Sequence, residues 1–168
     1  MMLLKFYSSI FWELIRTPFQ HSELIWGIVP LYFGWIINEM MPGKASFKTA
    51  INTGFSFLWA AAHWLYRDFY SRSQGWTIHS KTFLAINIWV TLAVMAIGLV
   101  ALISGLRRRY PKHASFLGHT RFSNYFMITI FPIQSNYLPW TADRATAIVL
   151  FALPIWVLCQ FGFIPLRK

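Results

Sequence analysis

The 25 residues from Thr82 to Leu106 carry no charged side chain, and Arg107, Arg108 and Arg109 follow at once. As a helix rising 1.5 Å per residue, the stretch is roughly 37 Å long, enough to cross a hydrocarbon layer of about 30 Å with some tilt. No other feature of the chain narrows its folding options so far. It predicts an all-α integral membrane protein, and the remaining segments are read against that expectation.

The composition agrees with it. Of 168 residues, 57% are apolar and 12% charged, against about 25% charged in an average soluble domain. No polar stretch is long enough for a second domain of about 50 residues, so the expectation is a single membrane domain over 1–168. The net charge of +10 would suggest nucleic acid in a soluble protein. Here the basic residues stand at the ends of apolar segments, where lipid phosphates account for them, and nucleic acid is set aside.

The expected organisation has about four transmembrane helices. Residues 1–20 read as an amphipathic interfacial helix: Leu3, Phe6, Tyr7, Ile10, Phe11, Leu14 and Ile15 recur at helical spacing opposite Lys5, Ser9, Glu13 and Arg16. Its charges and its lack of a small-x-small site argue against a cleaved signal. The four spans are placed at 24–41, 50–66, 82–106 and 145–166. The segment 122–140 is apolar but holds Asn124, Gln134, Asn136, Pro132 and Pro139. A lipid-exposed crossing there would leave backbone groups unpaired, so an interfacial or re-entrant segment is expected. Trp12, Trp26, Trp64, Trp76 and Trp140 suit an interfacial aromatic belt. The lone Cys159 excludes an intramolecular disulfide. Lys and Arg are balanced between the two sides, with the densest cluster, Arg107 to Lys112, leaning toward a cytoplasmic loop.

Each of the first three spans carries small and polar residues at steps of three and four, which align on one helical face. They are Glu23, Gly27, Pro30, Gly34 and Asn38 in the first, Asn52, Ser56, Ala60, His63 and Arg67 in the second, and Asn87, Thr91, Val94, Gly98, Ala101 and Gly105 in the third. In lipid, helices associate where small residues allow close approach and polar groups bond across. These faces therefore predict helix packing, with a polar path as the other reading. Arg107, Arg108, Arg109, Lys112, His119 and Arg121 form a basic group suited to an anionic lipid head group. His21, His63 and His79 fall on one side of the four-span arrangement and make a weak metal or haem set. No carboxylate sits at mid-membrane, as proton-driven transport commonly requires. The chain has no phosphate loop, nucleophile elbow, zinc motif or Cys pair.

These features point to a non-catalytic polytopic subunit of the plasma (inner) membrane. It would anchor or assemble a larger complex with other subunits or copies of itself, without a cofactor. A small channel or transporter lined by the polar faces is the alternative, followed by a haem- or quinone-binding membrane subunit and by a lipid-modifying enzyme resting on the basic group.

Overall fold

The computed structural model describes residues 2–40, 46–73, 81–108 and 121–162, apart from the side chains at 71–73, 81–83, 121–122 and 159–160. These residues form six helices: α1 (Met2–Gln20), α2 (Ser22–Met40), α3 (Phe47–Ser73), α4 (Lys81–Arg107), α5 (Arg121–Gln134) and α6 (Ala142–Gly162).

Local chemistry sets several boundaries. Ser46 caps α3 by accepting from the Thr49 amide, while Thr49 Oγ1 accepts from the Ser46 amide at 2.8 Å. Such a reciprocal cap satisfies orphan donors at a helix start. At the end of α5, the Asn136 amide donates to Ile133 O and the Tyr137 amide to Pro132 O, both at 3.0 Å. With Asn136 at φ 62°, this is a Schellman ending, with asparagine in the left-handed position that usually takes glycine. Thr141 then caps α6 through the Arg144 amide.

The helices pack as two groups that share α5. Leu24, Ile28 and Leu31 of α2, Phe57, Ala60, Ala61 and Trp64 of α3, and Val94 of α4 surround Met127, Ile128 and Phe131 of α5. On its other side, α5 places Tyr125 and Ile133 against Leu14 of α1 and Ile148 of α6. Phe11 stacks on Phe151 at 4.6 Å, Arg144 pairs with Glu13 at 3.1 Å, and Tyr125 donates to Ile148 O at 2.7 Å. α3 and α4 form an antiparallel pair with their backbones close together. A methyl group added at Gly54 would lie 2.6 Å from the Leu102 amide nitrogen and 2.7 Å from the Gly98 carbonyl.

This architecture corrects the four-span expectation. By length and composition, only one helix, over Leu84–Arg107, can cross a membrane among the described residues. Glu23, Asn38 and Glu39 lower the apolar character of α2, and Lys48, Asn52, Thr53, Arg67 and Asp68 do the same in α3. The 122–140 segment is a helix followed by a turn. Its α5 part is the shared centre of the bundle, with Thr129, Phe131 and Ile133 fully buried. α1 does not stand apart from the bundle, because Leu14, Thr17 and Pro18 are buried against its neighbours. Trp64 belongs to the core and not to an aromatic belt.

Candidate functional site

The antiparallel order of α2, α3 and α4 brings the start of α2, the end of α3 and the first turns of α4 to one end of the bundle. The turn after α5 returns to that same end and carries its polar groups there. Arg67 Nη2 donates to Tyr137 Oη at 3.0 Å, and the Arg67 guanidinium lies 5.1 Å from the Tyr137 ring centre. Tyr137 in turn donates to Glu23 Oε1. A second chain runs beside it: Asn136 Nδ2 donates to Asp68 Oδ1 at 2.7 Å, Asn87 Nδ2 to Asn136 Oδ1 at 2.9 Å, and Trp140 Nε1 to Asn87 Oδ1 at 2.9 Å. Every contact crosses between elements, so the two chains tie α2, α3, α4 and the α5–α6 turn together.

The hydrogen bond from Tyr137 is the main reason the Glu23 carboxyl is held below its ordinary value, with Arg67 contributing at longer range. Burial, followed by the Glu23 contact, pushes the Tyr137 hydroxyl up to about 12. Both shifts favour the form seen here, a carboxylate accepting from a neutral phenol.

One turn further into the bundle the environment becomes apolar. The His63 ring stacks on Phe131 at 5.5 Å, and Trp64 meets the same ring at 5.9 Å. Gly27 of α2 makes room for this, since a methyl group there would fall 2.5 Å from Phe131 and 2.6 Å from His63. His63 Nε2, Trp64 Nε1, Arg67 Nε, the Gln134 amide and Ser135 Oγ are buried with no hydrogen-bond partner among the described residues.

The other residues singled out from sequence divide between packing and local roles. Asn52 of α3 donates to Gly34 O at 2.8 Å and to Asn38 Oδ1 at 2.9 Å. Ser56 lies against Gly34 but bonds its own helix at Asn52 O. Thr91 likewise bonds Asn87 O within α4. Gly98 and Gly105 face α3, and Ala101 between them is fully buried. Arg107 and Arg108 are exposed at the end of α4. Arg109, Lys112 and His119 lie outside the described residues, as does the side chain of Arg121. His21 packs on Tyr137 with ring centres 4.4 Å apart, whereas His63 packs on Phe131, and His79 lies outside the described residues. Among the described residues no three His, Cys, Asp or Glu side chains gather as a metal would require.

Sequence reasoning missed Asn136, Tyr137 and Trp140 as a group. The available signal was the Asn-Tyr-Leu-Pro run after an apolar helix, since asparagine just past a helix followed by proline marks a left-handed ending. Gly54, where the backbone of α3 backs closely onto α4, was missed because it lies off the polar face of α3. No family model, curated protein or solved structure matches this chain.

Proposed function

We propose that this chain is a non-catalytic helical subunit that attaches to the plasma (inner) membrane through α4 and assembles with other membrane subunits or further copies of itself. The uncovered face of α4 carries the reading. Ile86, Trp89, Leu92, Leu99, Val100, Ile103 and Leu106 are all exposed, Trp89 at 72%. No charge interrupts the row before Arg107. A contiguous apolar surface of that kind marks contact with lipid or another protein. Arg107 and Arg108 stand where the row ends, a suitable position for lipid phosphates.

The polar groups support a scaffolding role. Arg67, Glu23, Asp68, Asn87 and Asn136 are engaged with one another across helix boundaries, an arrangement that fixes the bundle. Such a role asks for no resident prosthetic group. α6 offers a second contact surface, with Val149, Leu153, Leu158 and Phe161 exposed, and apolar and aromatic side chains of this kind are common at subunit interfaces.

Native mass spectrometry of the chain from mild detergent tests the assembly. The expected result is a defined stoichiometry above one chain, with bound lipid. A stable monomer with neither partner nor lipid would contradict the proposal.

A further inference from the structure

Pro30 stands in the middle of α2, whereas Pro18 and Pro132 fall in the last turns of α1 and α5, where the helix is about to end. A proline inside a helix has no amide hydrogen, so the carbonyl of the residue one turn earlier loses its donor. The helix also bends most easily at that point. In α2 the carbonyl concerned belongs to Trp26. It is answered from the neighbouring helix: Trp59 of α3 donates to Trp26 O through its indole Nε1 at 2.6 Å.

The register of the two helices puts Trp59 where it is needed. Gly27 lies against His63, Gly34 lies against Ser56, and Asn38 accepts from Asn52. In this antiparallel order Pro30 falls level with Trp59 and Ala60. The Phe55 ring packs on Trp59 with ring centres 5.9 Å apart, which restrains the indole from turning away. An indole N–H can only donate, and a free carbonyl is the complementary partner. The turn that Trp59 ties down also carries Glu23, which accepts from Tyr137. The bond therefore lies between the easily bent point of α2 and the polar groups at the end of the bundle.

We propose that Trp59 is the lock of a hinge in α2. Its indole supplies the hydrogen bond that Pro30 withholds and keeps residues 22–29 in line with residues 31–40. Without that bond the first half of α2 opens locally, and Glu23 leaves Tyr137 more often. The device does not depend on membrane attachment or assembly, because a single chain contains both halves of it.

The test is amide hydrogen exchange on the full chain in mild detergent, read by mass spectrometry as a double-mutant cycle. Trp59→Phe keeps an aromatic ring and removes the donor. Trp59 is 44% exposed, so this change opens no buried cavity. Pro30→Ala restores the missing amide. Trp59→Phe should speed exchange over 24–29 about fivefold, the equivalent of roughly one lost hydrogen bond, and leave α6 unchanged. In a Pro30→Ala background the same substitution should have little effect. In a Pro154→Ala background, where the restored amide is in α6, its effect should persist in full. If circular dichroism shows that Trp59→Phe does not fold, benzothienylalanine at position 59 replaces it, since that side chain keeps the indole shape and lacks only the N–H. Equal acceleration in the parent and Pro30→Ala backgrounds would mean that ring packing, and not the bond, holds the segment, and would overturn the proposal. Acceleration spread evenly over all the helices, or none at all, would overturn it as well.

Discussion

Asn136 combines two tasks that pull on different parts of one residue. Its backbone takes the left-handed conformation that ends α5, and its side chain bridges Asp68 and Asn87. Glycine would serve the first task better, but it has no side chain to donate to a carboxylate and accept from a second amide at once, as this amide does. The next residue, Tyr137, carries the pH dependence. Its hydroxyl is pushed up to about 12, so its contribution to stability is complete below the ordinary value of 10 and fades as pH rises through about 12. The Glu23 carboxyl is held down, so its contribution is complete above 4.5 and fades as pH falls through its lowered value. Removing the hydroxyl by Tyr137→Phe should therefore cost most between pH 4.5 and 10, and less on either side. Glu23 is exposed, which limits the loss to about 1 kcal/mol despite the charged partners. Thermal unfolding of both proteins across that range checks the prediction. A difference that does not vary with pH would contradict it.

At the level of helices, contact distance separates glycines that look alike in sequence. Replacing an exposed helical glycine by alanine stabilises a helix by about 1 kcal/mol. At Gly54 the new methyl group would meet backbone atoms of Leu102 and Gly98 at 2.6 and 2.7 Å, which can yield only if α3 and α4 separate. At Gly98 the first contacts are the Leu58 side chain at 3.0 Å and the Gly54 carbonyl at 3.2 Å. Gly54→Ala should therefore destabilise by about 1–3 kcal/mol, while Gly98→Ala should stay within about 1 kcal/mol of the parent, its helix gain offsetting the strain. Chemical denaturation in detergent reads both, and equal effects would mean the two backbones are not in close contact. This pair also shows where sequence reading stops. Gly98 was legible because it falls on a stripe with Asn87, Thr91 and Ala101. Gly54 was not, since its significance comes from the height at which α3 meets α4, and no spacing within α3 encodes that height. The turn beyond α5 was obscured in a similar way: Gln134 and Asn136 were legible as polar, but the partners of Asn136 lie 49 and 68 residues away.

At the scale of the molecule, the all-helical class was legible and the number of membrane crossings was not. Apolar composition is shared by helices that face lipid and helices that face one another. α5 makes the point, since its apolar residues serve two cores at once. α3 makes it from the other side: its polar residues bond to α2 and to the α5–α6 turn, so they mark neighbours and say nothing about a bilayer. The central claim concerns α4, whose outer row is left uncovered by the described residues. It is tested most directly by a nitroxide attached through Trp89→Cys in a Cys159→Ser background, with the protein reconstituted into liposomes and collisions measured against oxygen and a polar nickel chelate. The account predicts frequent collisions with oxygen and few with the chelate, as for a site in hydrocarbon; the reverse order would place that face of α4 in water and contradict it.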